Sequence, residues 1–330
     1  MYRSLLAIQF LLLFLISGTA GWAQPTIICK PTEIGQAKLE AISANFFTVS
    51  GQLGGFDPCD PSVKFRIPDG AKKPPLVISV HGGGGIQDVL RSSDVFYREG
   101  FASLAFDAYS MQGIRGRDFK FWGFSVTNEA RQRMIYATAF AAYKWAIQRD
   151  EIDTKRVYLF GISNGATVVA NLAAVVNPDH VKGIIAEGIT PIGIGLPDKV
   201  AVPILLAFGK LDNFGNPDPN GKRWELVGPC RLNILFPDAP QGTSRYCSGA
   251  LNSGGQTPSP LSWAERIKSG GGIVEIVFFD DMAHSAFAGP LTTRVTTWNS
   301  GEIFGASIGA TESARAEFLK SIKDFINHHK

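Results

Sequence analysis

The chain has few of the residues that build metal and redox sites. Five His and four Cys stand among 330 residues. The Cys at positions 29, 59, 230 and 247 are scattered and form no C-x-x-C, which argues against a metal centre or a dithiol motif. No dense Lys/Arg cluster is present and the formal net charge is only +3, so nothing points to nucleic acid or to a polybasic membrane patch. Walker patterns are missing. The dinucleotide pattern G-x-G-x-x-G fails as well, because Gln87 stands where the third Gly after Gly82 and Gly84 should be. No repeat or low-complexity region is visible. What remains is ordinary globular composition, 45% hydrophobic and 18% charged, enough for one large α/β domain or two small ones.

Residues 1–23 read as a secretory signal peptide. Arg3 supplies a positive start, an apolar core follows, and the small residues from Ser17 to Ala23 allow cleavage after Ala20 or Ala23. That core, about a dozen residues, is short of the roughly 20 that span a bilayer, so no stable membrane anchor is expected after cleavage. The expected location is periplasmic or secreted. All four Cys survive cleavage, and an oxidising compartment favours their pairing. Three pairings are possible. Proximity favours Cys29–Cys59 and Cys230–Cys247, each worth about 3–4 kcal/mol in the chain-entropy account.

From residue 63 onward, short apolar runs alternate with helical patterns. Strands are expected at 63–67, 76–80, 102–106, 157–160, 183–186, 204–208 and 273–279. Helices are expected at 88–99, from Thr127 or Asn128 to about 150, at 166–176, and at 311–328. Short, fully apolar strands separated by helices predict an α/β protein with a mostly parallel central sheet and helices on both faces. One domain is expected over 24–330. The stretch 213–260 reads as an irregular excursion holding the second Cys pair.

The site of such a sheet lies beyond the carboxyl ends of its strands. His81, Asp107, Ser163, Asp212 and His284 all fall there. Ser163 is the tip of Gly161-Ile162-Ser163-Asn164-Gly165, a strand, tight turn and helix. A nucleophile on such a turn is exposed on strained backbone, and the flanking Gly permit close approach of neighbouring chain. A Ser hydroxyl needs a base, and the base needs an orienting carboxylate. His284 is the His left in a plausible basic position, since His81 belongs to a Gly-rich loop, His180 to another loop, and His328 and His329 to the C-terminal end. Asp212 is the preferred acid and Asp107 its rival.

The run Gly82 to Gly85 has a chemical reading too. An oxyanion is best held by pre-aimed backbone N–H groups. Asn164 would supply one and Gly83, or its neighbours Gly82 and Gly84, another. The segment 107–124 holds Tyr109, Arg115 and Trp122. It either walls a substrate pocket, with an Arg meeting an anionic group, or packs its aromatics on the long helix.

The segments His81 to Gly85 and Gly161 to Gly165, with Asp212 and the run Met282-Ala283-His284-Ser285-Ala286-Phe287, resemble the α/β-hydrolase superfamily. Within it the chain is most similar to the dienelactone-hydrolase-related branch, through Asp107-Ala108-Tyr109, the His-x-x-Phe run and the closing helix with Ala314 and Phe318. The resemblance covers roughly residues 76–326. It implies an α/β-hydrolase fold, acyl transfer through Ser163, His284 and Asp212, and no cofactor or metal. Phe287 joins Tyr109, Arg115 and Trp122 as an expected substrate contact. The namesake enzymes carry a Cys nucleophile, whereas this chain has Ser163. That departure favours a secreted serine carboxylesterase acting on a small-molecule ester over a dienelactone substrate. A serine peptidase, an acyltransferase and a non-catalytic binding protein on the same fold are the alternatives.

Overall fold

The computed structural model describes residues 55–111, 128–189, 193–212, 260–293, 295–297, 303–305 and 307–330. The expected leader, Cys29, Cys230, Cys247, Arg115, Trp122 and residues 213–259 of the excursion lie outside them. Cys59 is within them and carries no free thiol. No described helix is long and apolar enough to cross a membrane.

In chain order the elements are β1 (Lys64–Arg66), β2 (Leu76–Val80), α1 (Gln87–Arg98), β3 (Ala102–Ala105), α2 (Ala108–Met111) and α3 (Asn128–Ala146). Then come β4 (Val157–Ile162), α4 (Asn164–Leu172), β5 (Val181–Glu187), β6 (Ile204–Gly209), α5 (Pro260–Ser269) and β7 (Val274–Phe279). A hairpin of β8 (Val295–Thr297) and β9 (Ile303–Gly305) precedes α6 (Glu312–His328).

Seven strands form one sheet in the order β1-β3-β2-β4-β5-β6-β7. β1 runs antiparallel at the edge, and the rest are parallel. The central strands β2 and β4 are buried along their whole length. That explains their continuous apolar composition: a parallel strand covered on both faces has no solvent side to mark with polar residues.

Alternation within β4 then assigns its side chains to two cores. Val157 and Leu159 enter one core, with Met134, Ile135, Ala137 and Ala141 of α3, Val168 of α4, and Trp263 and Ile267 of α5. Tyr158, Phe160 and Ile162 enter the other, with Val89 and Phe96 of α1 and Phe318, Ile322 and Phe325 of α6. Each fully buried large apolar side chain contributes roughly 1.5–3 kcal/mol. Thr311 caps α6, its hydroxyl accepting the Ala314 N–H at 3.2 Å.

Two elements extend the sequence-based expectation. Helix α5 begins at Pro260, the last residue of the expected irregular excursion. Pro at a first helical position is compatible with the missing N–H, and Trp263, Ala264 and Ile267 share its buried face. Residues 108–111, for which no helix is expected from the sequence, form a helical turn. Its start is capped by Asp107, whose Oδ1 accepts the N–H groups of Tyr109 at 3.0 Å and Ser110 at 3.4 Å.

Candidate active site

Ser163 sits between β4 and α4 with φ 56° and ψ −120°, a strained conformation for a residue with a side chain. The two flanking glycines have a steric cause. A Cβ on Gly161 would lie 2.3 Å from the Gly165 carbonyl oxygen, and one on Gly165 would lie 2.2 Å from the Val80 carbonyl oxygen. Only a bare backbone lets the turn fold back on itself and on β2. The Ser163 N–H donates to the Glu187 carbonyl at the end of β5, at 3.0 Å.

His284 follows β7, and Asp212 follows β6. The imidazole Nδ1 hydrogen-bonds the Asp212 carboxylate (Oδ2) at 2.9 Å, with both residues only 5% exposed. With Nδ1 donating, the neutral ring has its lone pair on Nε2, the form a general base requires. Asp107, the rival acid, is used differently. Besides capping α2, its Oδ1 lies 3.8 Å from His81 Nε2.

His81 is fully buried. Its Nε2 accepts the Ala108 N–H at 2.9 Å, which leaves Nδ1 to donate to the Gly82 carbonyl at 2.8 Å. Tyr109 reaches the same carbonyl with its hydroxyl at 3.4 Å. Burial pushes the Tyr109 phenol well above its ordinary range. His81 thus ties the Gly-rich loop to the end of β3, a structural task.

That loop lies against the nucleophile turn. A Cβ on Gly82 would meet Ser163 Cβ at 3.0 Å, and one on Gly83 would meet Asn164 Nδ2 at 3.6 Å. Gly84, an expected oxyanion donor, lies against Asp88. Its N–H already donates to Asp88 Oδ2 at 2.9 Å, so it is committed inside the loop. Phe287, an expected substrate contact, lies among aromatic side chains. Only 3% exposed, it packs with Phe96, Phe160 and Phe318 at ring-centroid separations of 6.2, 6.0 and 5.4 Å. Its surface is spent largely on the core between α1 and α6.

Three residues near the site were not picked out from the sequence. Asp88, in the first turn of α1, holds the Gly-rich loop. Desolvation drives its carboxyl above the usual carboxylate range, against the lowering influence of His81, the Gly84 N–H and His284. An acid in the first turn of a helix just after a Gly run was the available signal. Glu187 ends β5, 1% exposed, and its Oε1 accepts the Ala286 N–H at 2.5 Å. A charge closing an otherwise apolar run was its signal. Gln132 of α3, fully buried, donates from Nε2 to Asn164 Oδ1 at 3.1 Å and accepts the Ile194 N–H at 2.8 Å. It fixes the Asn164 side chain, and the helical pattern alone did not distinguish it from its neighbours.

A mostly parallel sheet with a strained Ser turn after β4, and an acid and a His after β6 and β7, is an α/β-hydrolase fold. Residues 63–223 match the dienelactone hydrolase family, a span that includes the Gly-rich loop, Ser163 and Asp212 and ends before His284. Over that span the chain is similar to the dienelactone hydrolase family, and its fold is that of an α/β-hydrolase.

An Escherichia coli protein, an uncharacterised 31.7 kDa product of the traX-finO intergenic region, is 30% identical over 132 residues. That match covers 38% of this chain and 41% of the relative, so the chain spans about two fifths of the length of the curated relatives it matches. Among solved structures, a Klebsiella pneumoniae protein described as a dienelactone hydrolase superposes with a TM-score of 0.50 at 14% identity, over 80% of this chain and 92% of the other. A dienelactone hydrolase from Anabaena variabilis gives a TM-score of 0.46 at 16% identity, over 81% and 91% of the two chains. At 14% identity the Klebsiella likeness is one of fold.

Proposed function

We propose that the chain is a serine hydrolase that cleaves carboxylic esters of small molecules through an acyl-enzyme. The observation that carries this reading is the buried 2.9 Å bond from His284 to Asp212, with a strained Ser turn at the same carboxyl end of the parallel strands. Ser163 Oγ attacks the ester carbonyl while His284 Nε2 takes its proton. The tetrahedral oxyanion is held by the N–H groups of Asn164 and Gly83. The intermediate collapses as His284 returns the proton to the leaving alcohol, and the C–O bond breaks. Water, deprotonated by the same imidazole, then releases the acid and regenerates Ser163. Asp212 stays ionised throughout and stabilises the imidazolium.

Gly83 is favoured as the second donor because it faces the Asn164 side chain and Gly84 is committed to Asp88. Tyr109, Arg115 and Trp122 remain proposed substrate contacts. Export, with the pairs Cys29–Cys59 and Cys230–Cys247, belongs to the same proposal and rests on the apolar leader and the compartment logic of cysteine.

Fluorophosphonate labelling tests the mechanism. The intact protein is expected to label at one site, and Ser163→Ala to lose the label while keeping its circular dichroism spectrum. An intact, folded protein that does not label refutes the serine mechanism. A panel of p-nitrophenyl esters and peptide p-nitroanilides tests the bond. Faster turnover of the amides would replace the esterase reading with a peptidase.

A further inference from the structure

Strand β5 lies between the strands that carry the proposed nucleophile and the proposed acid, and it ends on Glu187. A carboxylate at 1% exposure is costly to bury unless its oxygens are bonded. Glu187 reaches two different loops. Its main-chain carbonyl accepts the Ser163 N–H at 3.0 Å. Its side-chain Oε1 accepts the Ala286 N–H at 2.5 Å, across 99 residues of sequence.

Both bonds land beside strained backbone. Ser163 has φ 56° and Ser285 has φ 62°. Non-Gly residues persist at positive φ only where their surroundings over-determine them. At Ser163 the Glu187 carbonyl supplies one such restraint directly. At Ser285 the carboxylate fixes the next N–H along the chain. The other side of this loop is held from 307–309, where the His284 carbonyl accepts the Gly309 N–H at 2.8 Å and the Ala283 N–H donates to the Gly309 carbonyl at 2.8 Å. Glu187 is therefore a tie between the base-bearing loop and the turn after β4 that presents the nucleophile.

We infer that Glu187 is a positioning residue that sets the separation of Ser163 and His284, one loop being held by its main chain and the other by its carboxylate. The inference rests on the serine-hydrolase reading. Its physical content is that the acceptor must be at the right length, and that its charge is secondary.

Three variants separate length from charge. Glu187→Gln keeps an acceptor oxygen at the same reach without the charge, and its kcat is expected within about fivefold of the intact protein. Glu187→Asp keeps the charge but withdraws the oxygen by one methylene. Glu187→Ala removes the acceptor. For both of these, kcat for a p-nitrophenyl ester is expected to fall about 30- to 100-fold, the scale of a misplacement near 1 Å. KM should stay within about twofold, and fluorophosphonate labelling of Ser163 should slow in parallel with kcat. Circular dichroism and a melt establish folding for each variant, and Glu187→Asp carries the test if Glu187→Ala does not fold.

An active Glu187→Asp with an inactive Glu187→Gln overturns the inference, because charge would then be the requirement. Full activity in folded Glu187→Asp and Glu187→Ala overturns it too. In both cases normal labelling of the intact protein leaves the serine mechanism standing, whereas failure of the intact protein to label removes both.

Discussion

Replacing Asp212 by Asn tests the pairing on which the proposed mechanism depends. The swap preserves shape and removes the charge facing His284 Nδ1 across 2.9 Å. Both side chains are nearly inaccessible, so water screens the pair weakly. With an effective dielectric of about 20, a carboxylate and an imidazolium at this separation attract by about 6 kcal/mol. The imidazolium exists only when Ser163 has given up its proton, so this attraction falls on the transition state and not on the resting enzyme. At about 1.4 kcal/mol per decade, losing it lowers kcat by about 10⁴-fold. That is the scale known for the same replacement in a Ser-His-Asp triad, where the amide also favours the wrong imidazole tautomer. The assay is turnover of a p-nitrophenyl ester by Asp212→Asn and Asp107→Asn, with folding checked by circular dichroism. Asp107→Asn is expected to retain activity within about tenfold, because Asp107 caps α2 and bonds no proposed catalytic group. A tenth or more of the original kcat in Asp212→Asn refutes the reasoning. So does a folded Asp107→Asn that is equally inactive.

Two further outcomes follow from neighbouring residues. Asp88 has its carboxyl raised above the unfolded value of 3.8, chiefly by desolvation. The folded state therefore holds the proton more tightly, and the associated stability is present below that value and lost as pH rises through the folded one. The melting temperature of Asp88→Asn relative to the intact protein is expected to climb between pH 4 and pH 7, and a difference independent of pH would refute this. Phe287→Ala should cost about 3–5 kcal/mol in chemical denaturation by opening a cavity among Phe96, Phe160 and Phe318. An ester-length preference that shifts while stability holds would return Phe287 to the pocket.

Legibility in the sequence followed the range of the interactions involved. Strands β2, β4 and β6 could be read directly, because continuous apolar composition is the signature of a strand buried on both faces. The Ser163 turn was equally plain, since the steric need for Gly161 and Gly165 is met within a few residues. Helix α5 was missed because a short amphipathic segment beside an irregular stretch carries little periodic signal, although Pro260 marked its start.

The site divides along the same line. By itself, the sequence determined which chemical groups stand at the strand ends: a Ser on a Gly-flanked turn, a Gly-rich loop, two acids and a His. Only the tertiary structure decided how those groups are committed. It bonds His284 to Asp212, 72 residues away, and turns Asp107 to the start of α2. It gives the Gly84 N–H to Asp88, buries Phe287 in the core, and brings Glu187 within a hydrogen bond of Ala286. The physical reason is that a polar group has few donors or acceptors to give. Which neighbour receives them depends on distances of a few tenths of an ångström between segments far apart in the chain.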